Sequence, residues 1–196
     1  MELEEKLLFL MNAANGIMSF SELIEHGFTK RQIKKMESNQ WIERVSKGIY
    51  IHKNYLCDTL KIYQLDSSSF IYSNETAAYL HGLSDRYPRI YSVTTYSGCH
   101  LRKSDEFKIF YVKKERLDLG VIEIKDNAGN YVKVYDKERT ICDLIKNKDR
   151  IELQIYSETI QNYFKEKVKL NMISKYAKQL GISKEVADVV SLMMRE

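Results

Sequence analysis

The sequence predicts an α+β protein that begins with a winged helix-turn-helix and continues into a mixed domain of antiparallel strands and a C-terminal helical block. Three observations carry this. Two helix start signals lie a short turn apart in residues 19–32, and a hairpin signal, Ser46-Lys47-Gly48, follows at once. Four runs rich in Val, Ile and Tyr then occupy residues 89–136, and the rest of the chain reads with a helical period.

The segment "LEEKLLFLMNAA" places Leu3, Leu7, Leu8, Leu10 and Met11 at helical spacing and leaves an acidic face of Glu2, Glu4 and Glu5. Ser19 and Glu22 are spaced as a capping box for a second helix, in which Leu23 and Ile24 face the core and which Gly27 stops. Thr29 and Gln32 repeat the signal two residues later, so a third helix follows after a short turn. In that helix Ile33 and Met36 share a face, while Lys30, Arg31, Lys34 and Lys35 fall mainly on the other sides. Residues 41–45 and 49–52 alternate as two strands joined by a turn in which Gly48 tolerates positive φ. Helix, helix, turn, helix and hairpin together make a winged helix, whose third helix is expected in a DNA major groove with the hairpin along the backbone.

Charge is divided along this first domain, residues 1–57. From Lys30 to Lys53 seven basic residues face two acidic ones, whereas residues 1–29 hold five glutamates and Lys6 alone. A cationic helix by itself reads as a solvated face. Coinciding with a helix-turn-helix and a wing, it marks Lys30, Arg31, Lys34, Lys35, Arg44, Ser46 and Lys47 as candidate DNA contacts.

With 196 residues, 44% of them hydrophobic, and a single proline, the chain can bury a substantial core. The net charge of +4 permits an anionic partner without requiring one. No apolar run approaches the roughly 18–20 residues of a membrane span, and the start "MELEEKLLFL" is acidic where a signal peptide is basic, so a cytoplasmic protein is expected. Cys57, Cys99 and Cys142 are widely spaced with no CxxC pair, which predicts reduced thiols and no metal site.

The second domain, residues 58–196, opens with a linking helix over 58–65 and a short helix "NETAAYLHG" with Asn74 as its cap and Gly82 as its stop. The runs "RIYSVTTYS", "FKIFYVKK", "GVIEIKD" and "YVKVYD" are the strands. A helix capped by Asp136, a long helix from residue 152, and a helical hairpin whose last member is capped by Ser183 complete the chain. Glu123 and Lys125 lie on one face of a strand and, with Asp105 or Asp118, resemble a nuclease metal site, although a cross-strand charge pair accounts for them as simply. His81 at a helix end reads as a packing or capping residue. No G-x-G-x-x-G, Walker loop, HExxH or G-x-S-x-G occurs, so no cofactor is expected and the chain is not expected to be an enzyme.

Beyond these readings, "SKGIYIH", "IYSNETAAYLHGLSDRYP", "VKVYDKERTICDLI" and "LNMISKYAKQLGI" resemble, in order, the AbiEi antitoxins of bacterial abortive-infection systems, over residue 5 to the C-terminus. The matching positions are Ser73, Glu75, Thr76, Ala77, His81, Gly82, Leu83 and Asp85, then Asp136, Glu138, Arg139, Thr140, Cys142 and Asp143. The resemblance implies a winged helix that binds inverted repeats in the promoter of its own operon. It also implies a second domain that counteracts a nucleotidyltransferase toxin, AbiEii, with which it need not form a stable complex. Several matching residues read as architectural: Glu75 and Thr76 open a helix, Asp136 caps another, and Arg139 is expected to find partly buried carboxylate partners. Heptads are absent, which predicts a monomer in solution and two copies on a repeated operator. Two alternatives stay open, a regulator whose second domain senses a ligand or partner, and a DNA-binding nuclease using Glu123 and Lys125.

Overall fold

Helix α1 (Leu3–Ala13) closes with a turn at Asn15-Gly16, and Gly16, at φ +80°, carries the chain into a three-residue strand β1 (Ile17–Ser19). The structure, a computed structural model, describes residues 2–67, 69–101, 104–166 and 168–194. Helices α2 (Phe20–Glu25) and α3 (Lys30–Ser38) follow, then strands β2 (Ile42–Ser46) and β3 (Ile49–His52) and helix α4 (Thr59–Asp66). The three strands form one antiparallel sheet in the order β1-β3-β2, with Ile17 opposite Ile51 and Arg44 opposite Tyr50.

Burial of the apolar face of each helix holds this unit together. Leu7, Met11, Leu23, Ile33 and Met36 are each at most 2% exposed and pack with Met18, Phe28, Ile42 and Tyr50. A second cluster, Ile17, Ile49, Ile51 and Ile62, lines the other side of the sheet against α4. Ile24, expected in the core, is instead exposed, because the six-residue α2 buries Leu23 alone; Leu8 is exposed as well, since α1 buries Leu7 and Met11, one turn apart.

The remaining elements are strand β4 (Ile71–Tyr72), helix α5 (Asn74–Leu80), strands β5 (Tyr91–Tyr96), β6 (Phe107–Val112), β7 (Val121–Lys125) and β8 (Tyr131–Tyr135), and helices α6 (Lys137–Lys146), α7 (Leu153–Lys165), α8 (Leu170–Leu180) and α9 (Ser183–Met193). The five strands form one sheet in the order β6-β5-β4-β8-β7. This is the expected α+β class, but the sheet is mixed where antiparallel strands were expected. β5 pairs parallel to β6, with Tyr91 opposite Phe107, and β4 pairs parallel to β8. The connection between β5 and β6 is longer than a hairpin turn, as a parallel pair requires.

Two caps also differ from expectation. Ser73, not Asn74, is the N-cap of α5; Asn74 is its first residue, at φ +47°, and its buried amide bonds Ser73 Oγ (3.1 Å) and Asn147 Nδ2 (3.0 Å). Ile182, not Ser183, occupies the cap of α9, because Gly181, left-handed at φ +74°, turns the chain so that Ile182 is buried between the two helices.

Contacts divide the chain into two units, Met1–Ser68 with Ile124–Val132, and Ser69–Glu123 with Lys133–Glu196. Helix α4 thus counts with the first unit, as does the tip of the β7–β8 hairpin. Within that unit Asn130 Nδ2 donates to Asp58 Oδ2 (2.6 Å), Lys61 Nζ to the Tyr131 carbonyl (3.1 Å) and Asn15 Nδ2 to the Gly129 carbonyl (2.7 Å). The second unit buries Leu83, Ile141, Cys142, Ile145, Ile160, Tyr163, Ile173 and Leu180 in one core, and Ala78, Phe110, Leu144 and Ile151 in another.

Candidate nucleic-acid interface

Helix α3 is fixed at its start by a reciprocal cap. Gln32 N donates to Thr29 Oγ1 (3.2 Å) and Thr29 N donates to Gln32 Oε1 (2.8 Å), so two of the amides left without helical partners are satisfied. Ser19 and Glu22 make the same arrangement on α2. Between the helices Gly27 stands at φ +82° and Phe28 is buried, which locks the angle of the helix-turn-helix into the core.

With Ile33 and Met36 inward, Lys30, Arg31, Lys34 and Lys35 are all exposed. None of the four has a side-chain hydrogen bond or ion pair among the described residues, so their donors are free for an anionic partner. The β2–β3 turn is held by the Phe20 amide, which donates to the Gly48 carbonyl at 2.6 Å, and by Gly48 itself at φ +74°. Lys47 is exposed at its tip. Arg44 is exposed on β2, with Nε donating to the Ser46 carbonyl (3.2 Å) across the bulge between residues 44 and 46, which leaves its terminal nitrogens outward. Ser46 differs from the rest: half-buried, its hydroxyl donates to Asp66 Oδ1 (3.2 Å).

The residues matched by the antitoxin resemblance lie in the second unit; nine of the fourteen are buried, and Gly82 and Asp85 are exposed. Glu75 opens α5 and accepts from Ser92 Oγ (2.9 Å) and from Lys108 Nζ (3.0 and 3.2 Å). Thr76 Oγ1 accepts the Ser92 amide (2.7 Å), tying α5 to β5. Asp136 caps α6 by accepting the Arg139 amide (2.7 Å) and takes the Tyr176 hydroxyl (2.6 Å) on its other oxygen. Glu138 accepts from Tyr163 Oη (3.2 Å) and pairs with Lys169 (3.6 Å).

Arg139 has no exposed surface. Its Nε donates to Asp143 Oδ1 (3.0 Å) and its Nη1 to the Leu119 carbonyl (2.8 Å), and the guanidinium lies 4.2 Å from the Tyr135 ring centre. Burial pushes the Asp143 carboxyl up against the pull of the arginine, while Arg139 is held above its ordinary value because, although its own burial is the largest single effect and pulls it down, the Asp143 and Tyr135 charges and the Asp143 hydrogen bond together outweigh it. Burial likewise pushes the Cys142 thiol up to about 12, which leaves it unreactive. His81 Nε2 lies 2.7 Å from the Tyr135 carbonyl, and burial lowers its pKa, as suits a packing residue.

Glu123 and Lys125 are both exposed on β7, and among the described residues no three His, Cys, Asp or Glu side chains gather as metal donors. Cys57 is exposed, Cys99 is buried, and neither is in a disulfide. Among the described residues no helix is long and apolar enough to cross a membrane. The sequence did not draw attention to Arg86, Arg89 and Lys108, which share a cleft in the second unit; the signal was the aromatic flanked by arginines in "DRYPRI".

No protein-family model matches the sequence, and no curated protein does. The fold is similar to the crystal structure of the RV2827C protein from Mycobacterium tuberculosis, with a TM-score of 0.61 at 10% identity, over 96% of this chain and 74% of that one. At that identity the likeness is one of fold.

Proposed function

We propose that the protein is the antitoxin of a bacterial abortive-infection system, which represses its own operon by binding inverted repeats in the promoter and counteracts a nucleotidyltransferase toxin. One observation supports the DNA-binding half above all: four cations without partners project from a capped helix whose opposite face is core, beside a wing that adds Arg44 and Lys47. The antitoxin half draws on the resemblance carried by Glu75, Thr76, Asp136, Glu138, Arg139 and Asp143. Those residues build the second unit's framework, so an antitoxin surface there is one they shape and do not themselves expose. The free chain is a monomer, and two copies load on the repeated operator.

The test is titration of a labelled promoter fragment at several salt concentrations. Removing one phosphate-binding cation, as in Lys34→Ala, flattens the slope of log K against log salt by about 0.9 and costs on the order of 1 kcal/mol. Arg31, at the helix start, is the base reader, and Arg31→Ala relaxes sequence preference by about 1–3 kcal/mol at one position. Binding as tight in both variants as in the parent protein would overturn the assignment of α3. Sedimentation giving a stable free dimer at micromolar concentration would overturn loading as monomers.

A further inference from the structure

We propose that a cleft in the second unit binds a nucleotide, free or at the end of a single strand, with its phosphate on Arg89 and Lys108 and its base on Tyr87. The cleft encloses about 710 Å3, inside the range of roughly 300–1,000 Å3 typical of small-molecule sites. Its walls come from the loop before β5, from Lys108 on β6, from the first turn of α5 and from the start of α7. The inference goes beyond the antitoxin reading and stands without it.

The floor is rigid and its charges are already arranged. The Glu75 side chain, 11% exposed, is held by Ser92 Oγ and Lys108 Nζ and accepts the Glu152 amide at 3.3 Å. This fixes the Lys108 ammonium with its remaining donor capacity unspent, since the group carries three protons. Arg86 is fixed in the same way, by Glu152 and the Gln154 side-chain oxygen. Both carboxylates of the cleft are therefore neutralised by cations within it. Arg89 is left over: exposed, and with no ion-pair partner among the described residues. The cleft is net cationic, and it selects an anion.

The rim supplies the second half of the recognition. Tyr87 is 57% exposed although its ring is braced edge-on by Tyr79 (5.1 Å between centres) and Tyr91 (6.1 Å), with its hydroxyl bonded to that of Tyr91. Ile90, 54% exposed, adds apolar surface beside it, and the buried Pro88 stiffens the loop between them. A braced, largely exposed ring beside one free arginine and a lysine with donor capacity to spare is the pairing that binds a base and its phosphate together. An inorganic anion would leave the ring idle.

The experiment is calorimetric titration of the full chain with AMP, ATP, inorganic phosphate and a five-residue single-stranded oligonucleotide. The oligonucleotide is titrated into the Arg31→Ala/Lys34→Ala background, to silence the winged helix. AMP or ATP is expected to bind at least about tenfold more tightly than phosphate. Arg89→Ala and Tyr87→Ala are each expected to weaken nucleotide binding about tenfold, and Tyr87→Phe to retain it. An oligonucleotide that outbinds AMP tenfold identifies a strand end as the occupant, and equal or weaker binding identifies the free nucleotide. No binding of any nucleotide or oligonucleotide at several millimolar, or binding unchanged in both Arg89→Ala and Tyr87→Ala, overturns the proposal.

Discussion

Asp126 lies in the β7–β8 turn with Oδ1 accepting the amides of Ala128 and Asn130, both at 2.9 Å, and with its buried Oδ2 unpartnered beside the Asp58 carboxylate. Burial and that neighbouring carboxylate push its pKa up to about 6 from an ordinary value near 3.8. A folded-state carboxyl raised in this way binds its proton more tightly than the unfolded chain does. The stabilisation is therefore fully present below about pH 4 and is lost as pH rises through about 6. Asp126→Asn keeps the two accepted bonds and turns a donor toward Asp58. It is expected to stabilise the protein at pH 7 by about 1 kcal/mol, and to flatten the fall in stability between pH 4 and 6, as read by urea unfolding across pH. A variant less stable than the parent at pH 7 would count against this. Single residues were legible in the sequence where chemistry leaves one outcome. A buried arginine requires a carboxylate, and Arg139 has Asp143 one helical turn on. Asn74 was not legible, because a positive φ at the start of a helix is decided by what packs around it, here Ser73 and Asn147.

Helix starts were the most readable elements, because a capping box is local: the spacing Thr29 to Gln32 contains both donors and both acceptors. The same locality makes the box testable. Thr29→Ala removes the acceptor for the Gln32 amide and is expected to cost about 1 kcal/mol in urea unfolding. It should also weaken promoter binding by fraying the turn that carries Lys30 and Arg31. If stability falls and DNA affinity does not, the start of α3 is not where DNA is met. The strands β1 and β4 were illegible, since three and two residues cannot show a period. Both complete sheets that other segments begin: β1 pairs with β3, and β4 joins β5 to β8. Parallel pairing of β5 with β6 was hidden for a related reason, since runs of Val, Ile and Tyr give strand identity without direction. The candidate DNA contacts followed from helix period and charge. The cleft was legible only in its loop, the aromatic between arginines in "DRYPRI", since Glu75, Lys108 and Glu152 join that loop only through the sheet and α7.

At the scale of the whole molecule, charge and core are distributed unevenly. Residues 30–53 concentrate basic side chains, whereas residues 58–196 hold 23 basic against 20 acidic residues without a comparable cluster. Each unit has its own buried clusters; the two described for the first, around Leu7 and around Ile17, draw on residues before 68, and Val132 of the β7–β8 segment is buried as well. Division of labour between two parts follows as a prediction. A fragment of residues 1–67 is expected to fold and bind promoter DNA. Without Ile124–Val132, however, Asp58 is deprived of Asn130, Lys61 of the Tyr131 carbonyl and Asn15 of the Gly129 carbonyl. Three missing hydrogen bonds at about 1 kcal/mol each are a large share of a small unit's stability, so the fragment should unfold at lower urea than the same unit in the full chain. A fragment of residues 69–196 is expected to restore growth to cells expressing the toxin while leaving a promoter reporter unrepressed. Co-expression with that reporter separates the two activities. Growth restored by residues 1–67 alone would make neutralisation a consequence of DNA binding, and would overturn the proposed antitoxin role of the second unit.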